Sequence, residues 1–535
     1  MALRPFVQAA RRAGCVALFT LAAAASAQPA ADASRTIRFV PFGEPTNFDP
    51  IMEVTRATNA HAYMIYDTLF AQDVNGKPQP QMVDAYTLSP DGRVYTMTLR
   101  KGMKFHDGSP VTANDAVASI RRWAKRDVLG KKLVEMGLQV DAVDSLTFTV
   151  ATKQPTQLVL SAFAKPTSSS VFVMRAVDAA KEPTQQVTAN IGSGPFRFVA
   201  KEYQPGHQIV YERNPDYVPR AEPPSYLAGG KRVNVDRVIF RFIRDAGTAV
   251  AALKAGEIDI YESPPPDLIT ELKSDPKLSV RVLDKGGISG IIRINHTQPP
   301  FDNPKVRQAL LAAINQQDYV AVAGAGDPAN AKECFAFLGC GFPGFSEAGM
   351  ESLRKFDRER ARRMLRESGY KGEPVLFMHP MDLPPLTDLT SVAIEHMKAA
   401  GFNVNAMSMD WATVTQRRAK KEAPSAGGWN AFLSQTYSFN MASPALNFFL
   451  AAPCQGGGWF GWPCDPKLEA LRERWMAETD AGKLRAVERE IQMQAVDSVP
   501  FVPIVQFFTP VAYRNTLANL VEAQSTVFWG VTKGR

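Results

Sequence analysis

Four of the five cysteines carry the most evident chemistry in this sequence, because they fall into two close pairs. One pair is Cys334 and Cys340, and the other is Cys454 and Cys464. In an oxidising compartment, an even number of cysteines in such pairs predicts two local disulfides, each closing a short loop. A zinc site built from all four is the alternative, although neither pair has the C-x2-C or C-x4-C spacing of such sites.

Motifs that would support catalysis are weak. Residues 352–355, Ser-Leu-Arg-Lys, fit the S-x-x-K pattern of penicillin-recognising enzymes, but the companion S-D-N and K-T-G elements are absent. Residues 324–329 resemble a dinucleotide-binding loop only loosely and follow a predicted helix instead of a strand. The six histidines are dispersed, without an H-E-x-x-H pair. We therefore predict no enzyme, no cofactor and no metal site.

The N-terminus has the composition of a secretory signal peptide. Three arginines precede an apolar run over residues 15–25, and Ala25-Ser26-Ala27 provides a small-residue cleavage site. The run is shorter than the ~20 residues that span a membrane, and no later stretch is apolar enough to span one. We predict that residues 1–27 are removed on export. A lipid anchor on Cys15 is the alternative, but the Leu-rich segment of a lipoprotein site does not precede it.

Length and charge narrow the class of protein further. At 535 residues the chain is too long for one core, and about three domains are expected. The formal charge is +8, and removing residues 1–27 takes away three arginines and no acid, which leaves +5. The remaining basic residues are scattered and form no stripe with interleaved aromatic residues. Nucleic-acid binding therefore finds no support.

A strand, a turn and a helix start follow one another between residues 89 and 116. Over residues 94–99, Val or Thr alternates with a larger apolar residue, which predicts a strand with one buried face. Asp107-Gly108 then forms a tight turn. Thr112 lies three residues before Asp115, which is typical of a capping box at the start of a helix.

Three further segments complete a recognisable order of motifs. Residues 190–198 place two glycines around a serine before a strand, residues 256–260 begin with a glycine that ends a helix, and Asn303-Pro304 starts another helix. With residues 89–116, they closely resemble the family 5 extracellular solute-binding proteins, which serve peptide, nickel and opine uptake by ABC importers. That family usually carries Asp where this chain has Asn315.

The resemblance implies an α/β fold, namely a two-lobed periplasmic binding protein fold (class II) with an extra α/β subdomain on the first lobe. From the residues themselves, the alternation of strands and helices after about residue 290 favours helices packed on a mainly parallel sheet. The implied organisation is a signal peptide over 1–27, lobe I over 28–68, the extra subdomain over 69–188, lobe I again over 189–288, lobe II over 289–505 and a return to lobe I over 506–535.

The resemblance also implies that a solute binds in a cleft between the lobes. The loop after the first strand faces this cleft, with Glu44, Asn47 and Phe48 as candidates. The aromatic segment 427–464 lines the cleft from the second lobe, and its candidates are Trp429, Asn430, Tyr437, Asn440, Trp459 and Trp462. Aromatic residues are found buried more often than functional, so we expect about half of those in this segment to face the cleft.

One candidate position departs from the family pattern. In peptide-binding members an aspartate pairs with the amino terminus of the ligand, and its position falls on or near Asn440. No acidic residue occurs between Glu422 and Asp465. An amide accepts a hydrogen bond from an ammonium group but does not pair its charge, so unmodified peptides are a weaker prediction than the family implies.

We therefore expect the periplasmic solute-binding component of an ABC importer, acting as a monomer. It would capture a small solute, preferably a peptide or peptide-like compound, and deliver it to the permease subunits in the inner membrane. The alternative is a secreted α/β hydrolase, but no constellation of nucleophile and base supports it. The residues leave open whether the solute is a peptide, an opine-like compound, a glycoconjugate or a metal chelate.

Overall fold

The strands of the protein gather into three large sheets. A computed structural model describes residues 35–53, 55–166, 169–456 and 458–534. The predicted signal peptide over 1–27 lies outside the described residues. The part of the chain that the structure describes contains no helix long and apolar enough to cross a membrane.

The first sheet, in lobe I, combines strands from three separate parts of the chain. The two neighbours of the first strand, Thr36–Val40, run parallel to it, and the outer pairs are antiparallel. Its seven strands lie in the order Phe196–Phe198, Gln208–Arg213, Arg237–Arg241, Thr36–Val40, Ile260–Tyr261, Pro510–Arg514 and Leu278–Val282. The helices of lobe I are Arg56–Ile65, Ala246–Ala255 and Ile269–Ser274.

The second sheet, in lobe II, is mixed, so the prediction of a mainly parallel sheet was wrong. Two neighbouring pairs are parallel and three are antiparallel. Two of its strands enter and leave the lobe and therefore run in opposite directions, which the helix–strand alternation did not reveal. The order is Ala331–Lys332, Val502–Phe507, Ile288–Ile294, Ala431–Tyr437, Pro374–Pro380 and Asn403–Met409. Its helices are Pro304–Ala312, Gln316–Ala323, Arg358–Glu367, Leu386–Ala400, Trp411–Arg417, Pro466–Ala477 and Ala481–Ser498.

The third sheet forms the subdomain and contains the predicted signature strand. Tyr95, Met97 and Leu99 of that strand are buried, which confirms the alternation. The predicted capping box is present, with the Thr112 amide donating to Asp115 over 2.8 Å. The sheet is antiparallel, in the order Val83–Leu88, Val94–Leu99, Thr147–Ala151 and Gln139–Ala142. Its helices are Ala113–Ala124, Val128–Glu135, Leu158–Phe163 and Ala176–Ala179.

Smaller elements complete the described secondary structure. Short paired strands are Asp67–Thr68 with Phe172–Val173, Phe70–Gln72 with Pro78–Pro80, and Leu517–Ala518 with Thr532–Lys533. The 3-10 turns are Ala200–Glu202, Pro266–Leu268, Pro328–Asn330, Glu351–Leu353, Pro424–Ala426 and Ser438–Met441.

His106 connects two of the sequence motifs. Its amide donates to the Gly192 carbonyl over 2.8 Å, and its Nε2 lies 3.2 Å from the Gly194 carbonyl oxygen. A Cβ at Gly192 would lie 2.1 Å from the Ile65 carbonyl oxygen, so only glycine fits this approach. Burial lowers the pKa of His106 to about 4, which keeps the ring neutral.

The chain crosses between the lobe I sheet and the lobe II sheet twice, at neighbouring places. The first crossing joins Leu278–Val282 to Ile288–Ile294, and the second joins Val502–Phe507 to Pro510–Arg514. The strands on either side pair with each other, so the crossings lie side by side. The lobe I sheet takes its strands from residues 36–282 and 510–514, while the exact domain boundaries stay a prediction.

Candidate functional site

The lobes meet at the crossing end of the lobe II strands. In the antiparallel pair formed by Ile288–Ile294 and Ala431–Tyr437, Ile288 lies opposite Tyr437. Tyr437 is therefore held beside the first crossing segment. The turn that follows is fixed there as well, because the Ser438 amide donates to the Gly287 carbonyl over 2.9 Å. The side chain of Tyr437 consequently points from lobe II toward lobe I.

Arg56, the first residue of a lobe I helix, spans this junction. Its Nε donates to the Tyr437 hydroxyl over 3.1 Å, and its Nη1 donates to the Ser263 hydroxyl over 3.3 Å. The guanidinium also lies 5.6 Å from the centre of the Tyr437 ring and 6.0 Å from that of Phe42. One cationic side chain thus contacts both lobes through hydrogen bonds and aromatic faces.

Two carboxylates lie near Arg56. Glu262 is buried and accepts hydrogen bonds from the Phe42 amide, at 2.8 Å, and from the Thr526 hydroxyl, at 2.7 Å. Asp284 lies in the first crossing segment and accepts from the Gly286 amide at 3.0 Å. Burial lowers the pKa of Arg56, but Tyr437, Glu262 and Asp284 outweigh that effect, so the pKa is raised and the guanidinium stays charged.

The predicted lobe I residues are engaged within their own lobe. Glu44 accepts from the Gly206 amide at 2.8 Å, and Asn47 accepts from the Asp49 amide at 2.8 Å. The Phe48 ring packs against the buried His61 ring at 4.6 Å. These three residues shape the loop at 42–50, and their contact with a solute stays a prediction.

Trp429 and Asn430 lie in the core of lobe II. Neither has any exposed surface. The Trp429 indole donates to the Arg418 carbonyl at 3.1 Å, and the Asn430 amide both donates to the Pro299 carbonyl and accepts from the Leu376 amide. Strands rise by about 3.3 Å per residue, so Trp429 lies roughly 25 Å along the strand from the junction. In this conformation both residues support the sheet at its far end.

Trp459 and Trp462 belong to the same distant region. Trp459 stacks on the guanidinium of Arg293 at 5.3 Å, and Trp462 lies 6.0 Å from Trp429 between ring centres. Arg293 pairs with Phe432 in the sheet, five residues before Tyr437, or roughly 17 Å from the junction. Both tryptophans are partly exposed and lie at the opposite end of the strands from Arg56, so the prediction that they contact a solute is an alternative to a site at the junction.

Tyr437 and Asn440 are the predicted residues that the structure brings to the junction. The Asn440 amide donates to the Thr436 hydroxyl at 2.9 Å, one turn before it. Phe42, Arg56, Glu262 and Asp284 are the residues that sequence reasoning missed. Phe42 is 67% exposed, which is unusual for a phenylalanine. In the sequence, the one signal for its role is its position just after a strand that is predicted to be buried.

The four cysteines form the two predicted disulfides. Cys334 bonds to Cys340, with an S–S distance of 1.98 Å, and Cys454 bonds to Cys464, with an S–S distance of 2.03 Å. The first loop lies near the junction, because Gln506 donates to the carbonyls of Cys340 and Gly286. Among the described residues, no group of three or more His, Cys, Asp or Glu side chains could hold a metal ion.

Comparison with known proteins identifies the family. The profile of the bacterial extracellular solute-binding proteins, family 5 (middle), matches residues 77–448. A probable peptide ABC transporter periplasmic-binding protein, y4tO, from Sinorhizobium fredii is 36% identical over 512 residues, covering 95% of each chain. Di/tripeptide-binding protein 1 of Pseudomonas aeruginosa is 27% identical over 522 residues, covering 90% of this chain and 91% of that one.

A solved structure shares the fold. The ABC transporter substrate-binding protein CtaP from Listeria monocytogenes superposes with a TM-score of 0.78 at 19% identity, covering 94% of this chain and 99% of that one. At this identity the likeness concerns the fold alone. Together with the profile match over most of the chain, it shows that this protein belongs to the family 5 bacterial extracellular solute-binding proteins, with their two-lobed fold.

Proposed function

We propose that this protein captures a peptide or peptide-like solute between its lobes in the periplasm and delivers it, unchanged, to the permease of an ABC importer. The family supplies the general role, since its members are solute-binding components of importers and not enzymes. The names of two similar proteins, which refer to peptide transport and to di- and tripeptides, support the solute class. The same proposal includes residues 1–27 as a signal peptide that directs export, and a monomeric protein.

The observation that carries the proposal is the contact of Arg56 with Tyr437. A hydrogen bond of 3.1 Å and a stacked guanidinium join the lobes directly beside the crossings. A solute bound there contacts both lobes, so its binding free energy favours the closed arrangement. Tyr437 and Asn440 from lobe II, with Phe42 and Arg56 from lobe I, are the proposed contacts.

The charges of the site favour a zwitterionic solute. Arg56 offers donors that suit a carboxylate or a carbonyl, and two carboxylates lie close by. Asn440 contributes an amide where peptide-binding relatives would place a negative charge. A positively charged group of the solute would therefore be recognised by Glu262 of lobe I and Asp284 of the first crossing segment.

The test is to identify what co-purifies and whether it is changed. The periplasmic protein is denatured, its small-molecule extract is analysed by mass spectrometry, and the identified compound is titrated into ligand-free protein by calorimetry. We expect one saturable site and quantitative recovery of the intact compound. Turnover of the compound would contradict the proposal and favour the hydrolase, and light scattering of the same sample would reveal any oligomer.

A further inference from the structure

A small cavity lies at the crossings, behind the Arg56–Tyr437 contact. It has a volume of about 10 Å³, which accommodates one group of the size of a water molecule. Both crossing segments and the C-terminal segment contribute to its wall. The residues that matter for its chemistry are Arg56, Glu262, Asp284, Gln524 and Thr526.

The wall of this cavity carries more negative than positive charge. Glu262 and Asp284 provide two carboxylates, and Arg56 provides one guanidinium. Within the described ranges, neither carboxylate forms an ion pair with a basic side chain, and Arg56 influences both from a longer distance. Burial raises the pKa of Asp284, as expected of a carboxylate without a direct cationic partner.

Gln524 adds an unsatisfied polar group to the same wall. Its side chain is 4% exposed, and neither Oε1 nor Nε2 has a hydrogen-bond partner among the residues that the structure describes. Leaving a buried polar group unpaired costs about 1–3 kcal/mol, so a group that pairs with it binds favourably. Its Oε1 needs a donor, as do the free lone pairs of the two carboxylates.

We infer that this cavity binds an ammonium group. Such a group has nearly the size of a water molecule, carries the single positive charge that the wall lacks, and has donors for Glu262, Asp284 and Gln524. Its source is either a primary amine of the solute, in which case the inference rests on the proposed function, or a free ammonium ion. In the first case the acids of the cavity take over the pairing that Asn440 does not provide.

The first experiment measures thermal stability of the full mature protein in ammonium, methylammonium and tetramethylammonium chloride at constant ionic strength. Ammonium and methylammonium should raise Tm in a saturable way, whereas tetramethylammonium, which is too large for the cavity, should not. Gln524→Leu and Asp284→Asn should each abolish the shift. Gln154→Leu, at an exposed position, should retain it.

The second experiment separates the two sources. L-alanyl-L-alanine and its N-acetylated form are added to protein loaded with labelled ammonium. If L-alanyl-L-alanine displaces the labelled ammonium and its N-acetylated form does not, the cavity binds the amine of the solute. If the labelled ammonium is retained with both peptides, the cavity binds the free ion. Equal stabilisation by all three chlorides, or an unchanged shift in both variants, would overturn the inference. Calorimetry with the co-purified compound reports on the proposed function separately, because Arg56→Met should weaken that binding whether or not ammonium binds.

Discussion

Arg293 and Arg56 both stack on aromatic rings, and they lie at opposite ends of the same lobe II strands. Arg293 is buried and Arg56 is partly buried, and the two differ in what they contact. Arg293 has no exposed surface and donates to the carbonyls of Phe449, Trp459, Phe460 and Pro500, all within lobe II. Arg56 donates to a hydroxyl of each lobe. The first arrangement stabilises one lobe, and the second joins the two lobes.

The comparison teaches that aromatic density alone does not locate the site. The ring cluster around Arg293 draws on many aromatic residues of one segment. At the junction, the Arg56 guanidinium lies against the rings of Phe42 and Tyr437, which come from distant parts of the chain. Burial lowers the pKa of Arg293 to about 9, whereas nearby acidic groups raise that of Arg56. The surroundings of the two guanidinium groups therefore shift their pKa values in opposite directions.

The largest expected effect is on stability, at the aromatic end. Arg293→Met removes the donor of four carbonyls, those of Phe449 and Pro500 being buried, and should lower the free energy of unfolding by about 3 kcal/mol or more. Urea denaturation measures this change. Arg363→Met, on an exposed helical position, is the matched control and should change stability by less than about 0.5 kcal/mol. If Arg293→Met left the free energy of unfolding unchanged, the proposed difference between the two arginines would be contradicted.

The next effect is on binding, at the junction. Arg56→Met removes the guanidinium that we propose to hydrogen-bond the solute. Charged hydrogen bonds of this kind are worth about 2 kcal/mol, so the Kd of the co-purified solute should rise about 30-fold. The free energy of unfolding should change by less than about 1 kcal/mol, since Arg56 is only partly buried. Calorimetry and urea denaturation on the same sample measure both. An unchanged Kd with a large loss of stability would mean that Arg56, like Arg293, is structural.

The two ends should also respond to acid with opposite signs. Burial, with Arg307 and Arg293 nearby, lowers the pKa of His296, so below about pH 6.5 the unfolded chain takes up a proton that the folded chain does not. His296 therefore makes stability fall as pH falls. The raised pKa of Asp284 acts in reverse, because the folded chain takes up that proton first.

Urea denaturation from about pH 7 to about pH 5 measures these signs. His296→Asn should reduce the loss of unfolding free energy by up to about 1.4 kcal/mol per pH unit. Asp284→Asn should make the loss steeper toward the acid end. The same direction of change in both variants would show that the two ends do not differ in this way.

The smallest expected effect is a gain. Asn440→Asp adds a carboxylate on the junction turn, and affinity for dipeptides with a free amino terminus should rise about fivefold, or by about 1 kcal/mol. N-acetylated dipeptides should show no gain, which serves as the control. Equal gains for both forms, measured by calorimetry, would indicate a change in lobe closure and not a new ion pair.

Much of the fold could be predicted from local patterns. The alternation at residues 94–99, the Thr112 capping box and the cysteine pairs depend on neighbours in sequence, and the structure confirms them. The strand directions of lobe II could not be predicted, because two crossings decide them. The lobe I side of the junction and its crossing segment were missed for a related reason. Arg56, Glu262 and Asp284 are far from Tyr437 in sequence, and none of the three belongs to a motif that marks it as functional.

The central claim is that the solute binds at the junction and not at the aromatic end of lobe II. A crystal structure of the protein with its co-purified solute tests this claim most directly. We predict solute atoms within hydrogen-bond distance of the Arg56 guanidinium or the Tyr437 hydroxyl, and none against Trp459. Solute stacked on Trp459 and Trp462, with the Arg56–Tyr437 contact intact and free of solute, would contradict the account.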